Sequence, residues 1–165
     1  MSVYKKAFLS LDGTYRFGLE RALEQGVKPE NTINFVMLNP STADAEIDDP
    51  TIRRCMDFAW TWGYKRLLVT NLFPLRATDP KELYSHHDPL CAPVNQHYME
   101  LAALISDKVI CAWGKHGSFM YQGKKALRTL KECNNNVCHL GLNGDGSPKH
   151  PLYLKKSTTP EKFDA

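Results

Sequence analysis

FVMLNPSTADAEIDDPTIRRC, residues 35–55, is where the chain passes from one periodicity to another. It begins inside a mainly apolar run, residues 33–38, that fits a buried strand. At Asn39-Pro40-Ser41-Thr42 the run breaks into a polar loop holding Asp44, Glu46, Asp48 and Asp49. A helix signal follows: Asp49 suits an N-cap, Pro50 the first helical position, and Ile52, Cys55, Ala59 and Trp62 recur at helical spacing. Strand, polar loop and helix in that order is how open α/β sheets place ligand sites, at the carboxyl ends of strands. The loop also carries more polar groups than a connector needs.

Downstream the alternation continues. The helix ends at Gly63, a suitable C-terminal residue. RLLVTNLF supplies a second buried strand, about residues 66–71, whose far end delivers Asn71, Phe73 and Arg76 before the turn Ala77-Thr78-Asp79-Pro80. A short helical turn fits residues 80–84. Pro93 opens a further helix with apolar spacing at Val94, Tyr98, Leu101, Leu104 and Ile105. VICAW gives a third strand, about 108–113, ending in Gly114-Lys115-His116-Gly117, and a helix is predicted over about 118–133. Asn134-Asn135-Asn136 then turns into VCHLGL, a fourth strand over about 137–141. Upstream, Asp12-Gly13 between two strand-like runs predicts a β-hairpin of residues 6–11 and 14–20. The pattern is that of a single α/β domain spanning residues 1–165. It has three layers, α/β/α, about a mainly parallel four-stranded sheet, with the hairpin outside it. The polar breaks at 39–49, 71–76, 114–117 and 143–150 then gather on one edge as a cleft.

Composition sets the outer bounds. With 165 residues, 42% apolar and 24% charged, the chain can bury a core of its own. No apolar run approaches the roughly 20 residues of a membrane span, and no signal-peptide pattern opens the chain, so a cytoplasmic protein is expected. The five cysteines read as reduced, mostly buried thiols. A net charge of +3 permits a nucleic-acid partner without demanding one.

The loop sequences LNPSTAD, DDPTIRR, NLFPLRATDP, AWGKHG and PKHPLYL resemble the family catalogued as domain of unknown function 1643, over nearly the whole chain. More distantly, MLNPS, WGY, LLVTNLFPLR, VICAWGKHG and KHPLY follow the order of landmarks in the uracil-DNA glycosylase superfamily. That second resemblance implies a uracil-DNA glycosylase-like fold, with Asn39 matching the asparagine of the first motif and His150 the histidine of the last. Ser41 stands where that superfamily has glycine, Leu152 follows His-Pro where it has serine, and the acidic insert 44–49 has no counterpart. These departures imply a reshaped pocket and a base other than plain uracil.

The residues suggest roles of their own. Breaking a glycosidic bond to a base proceeds through an oxocarbenium-like sugar, with water arriving opposite the leaving base. An amide is no strong base, so Asn39 would orient that water, and Asp44 or Asp49 would assist it or stabilise the cation. The resemblance implies that His150 donates a hydrogen bond to the departing base. Arg53 and Arg54 lie in a first helical turn, where the macrodipole disfavours cations, so they answer to a phosphate or to Asp48 and Asp49. Ser41, Thr42, Asn71, Arg76 and His116 complete the expected binding set, with Phe73 or Trp113 as a stacking aromatic. Asn39-Pro40 and Ser41 are also ordinary turn residues, and Trp113 an ordinary core residue. The adjacent His86 and His87 do not converge readily on one ion, so neither metal nor cofactor is expected. The leading expectation is a glycosylase-like hydrolase acting on a modified base in DNA or a nucleotide. A nucleotide or modified-base binding module, and a Mg²⁺-dependent nucleotide hydrolase or transferase using the acidic loop, stay open beside it.

Overall fold

A computed structural model describes residues 3–164. Its strands are β1 (Tyr4–Leu9), β2 (Arg16–Ala22), β3 (Thr32–Met37), β4 (Arg66–Asn71), β5 (Lys108–Cys111), β6 (Val137–His139) and β7 (Glu161–Lys162). Its helices are α1 (Pro50–Thr61), α2 (Glu82–Ser85), α3 (Val94–Leu104) and α4 (Gln122–Cys133). The architecture is α/β, built on one mixed seven-stranded sheet in the order β1-β2-β4-β3-β5-β6-β7. The centre, β4-β3-β5-β6, is parallel, in register from Ile33 beside Leu67 to Val36 beside Cys111. Antiparallel strands flank it, β2 along β4 and β7 along β6.

The sheet is thus wider than the four strands expected. The hairpin is not outside it but forms one edge, with Leu19 opposite Val69. The opposite edge, β7, comes from the polar tail, which carries no apolar signal. The hairpin strands also lie outward of the expected positions, because the turn is broad. Ser10 and Tyr15 close it through the Ser10 N–H to Tyr15 carbonyl bond, and Asp12 accepts from the Thr14 N–H.

β3 is buried along its whole length, as a central parallel strand must be. Phe35 and Met37 face α1, packing with Ile52, Cys55, Phe58 and Ala59. Val36 and Leu38 face the opposite side, with Met99 and Ala103 of α3 and Leu130 of α4. Helix α1 forms as expected: the Asp49 carboxylate accepts from the Ile52 N–H at 2.9 Å, Pro50 opens the helix, and Gly63 leaves it with φ of 87°. The helix expected from residue 118 starts at Gln122 instead. Residues 115–121 form tight turns, with Met120 and Tyr121 in the left-handed region (φ 55° and 58°). All five cysteines are free; Cys55, Cys111 and Cys138 are buried, and burial pushes their thiols up. Among the described residues no helix is long and apolar enough to cross a membrane.

Candidate functional site

The carboxyl ends of β3 and β5 open onto a cleft of about 570 Å³. Leu38, Asn39, Pro40 and Ser41 line it after β3, and Trp113 to His116 line it after β5. Asp49, Thr51 and Ile52 at the start of α1 form one wall, and Asn143, Lys149, His150 and Tyr153 the other. Ala77, Thr78 and Pro80 border it after β4, and Arg16 reaches it from β2.

Asn39 is held from behind. Its Nδ2 donates to the carbonyls of Ala77 at 2.8 Å, Pro40 at 3.1 Å and Leu75 at 3.4 Å. Three carbonyls can be met only by the NH₂ end of the amide, so the orientation is set. Among the described residues Oδ1 accepts no hydrogen bond, which leaves an acceptor for a ligand or a water. His150 is fixed in a complementary way. Its Nδ1 accepts from the Leu152 N–H at 3.2 Å, so the ring proton of the neutral imidazole sits on Nε2. The ring stays open to solvent, yet the surrounding protein withdraws enough water to push its pKa below the usual histidine value; Asp49 opposes this. Near neutrality His150 is an uncharged Nε2–H donor.

Asp49 lies in the cleft wall but is already engaged. One oxygen caps α1 at Ile52, and the other accepts from the buried Ala43 N–H at 3.3 Å. His116 meets the Tyr84 hydroxyl through Nδ1 at 2.6 Å. Trp113 is buried, its indole resting against Gly117 and Gly123. A Cβ on Gly117 would come within 2.2 Å of Trp113 Cδ1, so only glycine admits the ring there.

A family model described as "Protein of unknown function (DUF1643)" matches residues 16–152. The chain belongs to that family. No curated protein and no solved structure matches it. The DUF1643 match takes in Arg16, Asn39, Asp49, His116 and His150, and stops one residue short of Tyr153.

Other expected site residues of this DUF1643 chain lie elsewhere. Asp44 is outside the cleft: its Oδ1 accepts from the Glu46 and Ile47 N–H groups at 2.8 Å, and those bonds, Ile47's first, hold its carboxyl below the ordinary value. Asp48 pairs with Arg21 at 2.7 Å and Lys5 at 3.0 Å. The acidic loop is therefore clasped to the hairpin rather than turned toward a ligand. Arg53 is exposed and donates to the Asp48 carbonyl at 2.8 Å. Arg54 lies over the Phe58 ring at 5.1 Å, in a separate depression shared with Asp57 and Lys156. Thr42 and Arg76 border a shallow depression that adjoins the cleft at Ser41. Asn71 is buried, its Oδ1 accepting from Arg16. Phe73 is in the core, stacked on Phe119, and is no platform for a base.

Sequence reasoning missed Arg16, Lys115 and Tyr153. Tyr153 stands in the quoted KHPLY motif and is 91% exposed at the cleft mouth, an aromatic free to stack. Arg16 and Arg21 stand in the short apolar-flanked strand RFGLERA, where a charge is itself a signal.

Proposed function

We propose that this DUF1643 protein acts on a nucleobase, as a glycosylase-like hydrolase of a modified base in DNA or a nucleotide. The observation that carries this reading is that the free Oδ1 of Asn39 and the Nε2–H donor of His150 belong to the walls of one cleft. In the reaction, Oδ1 accepts a hydrogen bond from the attacking water and holds it toward C1′ of the sugar. The C1′–N bond breaks with its electron pair going to the base, and His150 donates a hydrogen bond to the base as charge builds there. Water's oxygen bonds to C1′ and its proton passes to solvent. Tyr153 offers exposed aromatic surface beside the base. The parallel centre β4-β3-β5-β6, with the site at its carboxyl edge, supports the uracil-DNA glycosylase-like reading of the fold.

A binding module without the chemistry is favoured by one observation: Asp49, among the described residues the one carboxylate that lines the cleft, already accepts a backbone N–H at each oxygen, so no free base stands there. The metal-dependent reading has less support, because Asp44 Oδ1 accepts two backbone N–H groups and Asp48 pairs with Arg21 and Lys5.

The test is a panel of base-modified duplex and single-stranded oligonucleotides, scored for abasic sites by alkaline cleavage, with the wild-type chain and Asn39→Ala. Abasic product that Asn39→Ala loses supports the hydrolase. Tight nucleotide binding with no abasic product moves the conclusion to the binding module, and neither outcome leaves no nucleobase function.

A further inference from the structure

Strand β2 carries two arginines with almost no exposed surface, Arg16 at 1% and Arg21 at 0%. Their partners differ. Arg21 has a carboxylate, Asp48, at 2.7 Å, and backbone carbonyls around its other nitrogens. Arg16 has no carboxylate within salt-bridge distance among the described residues. Its Nη1 donates to the Ala43 carbonyl at 3.0 Å, its Nη2 reaches Asn71 Oδ1 only at 3.4 Å, and its Nε meets no acceptor. The Asn71 Nδ2 beside it is also unpartnered. A buried cation without a counter-charge is costly, and burial accordingly pushes Arg16 down to about 10, with Asp49 opposing from a distance. It is still fully charged near neutrality.

Arg16 is also part of the cleft wall, and it is not alone. Lys115 and Lys149 line the same cleft; among the described residues Asp49 is the one carboxylate in its lining, with Asp145 near Lys115 outside it. Thr51 places the amino end of the 12-residue helix α1 there as well, the end that favours negative charge. The cleft is therefore built for an anion.

We propose that Arg16, Lys115 and Lys149 form an anion subsite that takes a phosphate ester of the ligand, so that the substrate class is a nucleotide or nucleic acid rather than a free base or nucleoside. The nucleoside half of that assignment rests on the nucleobase reading above; the anion half does not. The phosphate comes either from a mononucleotide or from a nucleic-acid backbone.

Calorimetry with the whole chain separates these possibilities. The probes are inorganic phosphate, the common deoxynucleosides, their 5′-monophosphates and a short single-stranded oligonucleotide. The 5′-monophosphates should bind about tenfold or more tighter than the nucleosides, the scale of one charge-assisted contact. Added salt should erode that advantage, and the double variant Lys115→Met/Lys149→Met should lose most of it. Arg16→Met should lose it too while melting no lower than wild type, because a buried unpaired charge has been removed; a purely structural arginine would give the opposite melting shift. Should Arg16→Met fail to fold, the lysine pair decides. Equal affinity for nucleoside and monophosphate, or a phosphate advantage that survives the lysine variant, overturns the subsite and leaves the nucleobase reading standing. Inorganic phosphate binding as tightly as any monophosphate, through the same lysines, keeps the subsite and overturns the nucleoside half of the assignment. No binding of any probe overturns the subsite, and the panel of base-modified oligonucleotides then decides the nucleobase reading. An oligonucleotide that outbinds every monophosphate identifies the backbone as the source of the phosphate, and the reverse order identifies the mononucleotide.

Discussion

Replacing Asp49 by alanine tests whether this carboxylate serves architecture or chemistry. In the structure Asp49 accepts the Ile52 N–H at the start of α1 and the buried Ala43 N–H of the preceding loop. Loss of a helix cap costs about 1 kcal/mol. A buried amide left without an acceptor costs a further 1–3 kcal/mol or so. Asp49→Ala should therefore destabilise the fold by about 2–4 kcal/mol, which for a domain of this size lowers Tm by roughly 5–15 °C. Asp49→Asn keeps a capping oxygen, since asparagine caps about as well as aspartate, but turns an NH₂ toward Ala43 N–H. It should lose about half as much. Thermal and urea unfolding followed by circular dichroism at neutral pH measure both variants, and an unchanged urea slope keeps the comparison on stability. The reasoning fails if Asp49→Ala melts with the wild type. It fails differently if Asp49→Asn keeps its stability while base release vanishes, because Asp49 would then be a reacting group.

Other consequences follow from the same contacts. His150 has a folded-state pKa below its unfolded value, so the unfolded chain takes up that proton first as pH falls. Its contribution is complete above about pH 6.5, the unfolded value, and is lost as pH falls from there through the lower folded-state value; His150→Gln should show a smaller fall in Tm between neutral and mildly acid buffer, and equal falls would refute the assignment. Gly117→Ala forces a Cβ within 2.2 Å of Trp113 Cδ1, an overpacking worth about 1–3 kcal/mol; urea unfolding and an altered tryptophan emission should both report it. Arg21→Ala strips a buried pair from Asp48 and should cost about 3–5 kcal/mol. Lys5→Ala removes the more exposed partner and should cost about 1 kcal/mol or less; equal losses on urea unfolding would show that burial does not separate the two pairs.

The parts of this protein legible in its sequence are those with local causes. The apolar runs at residues 33–38, 66–71 and 108–113 mark central strands because a strand buried on both faces needs side chains apolar on both. Helix α1 announces itself through Asp49, Pro50 and Gly63, since capping and termination act within a few residues. Asn39 and His150 stand at ends of polar breaks in the sequence, and both line the cleft. What the tertiary structure alone decided is which distant segments meet. Glu161 and Lys162 are exposed and short, and only the edge of β6 makes them a strand. Phe119 packs between Phe73 and Tyr84, and turns at 118–121 replace the start of a helix that periodicity favours. The acidic loop reads in sequence as a cluster awaiting a ligand, yet Arg21 and Lys5, far earlier in the chain, neutralise Asp48. On the same strand Arg16 receives no such partner and faces the cleft. Charge pairing is a through-space property, and a count of charges along the chain does not carry it.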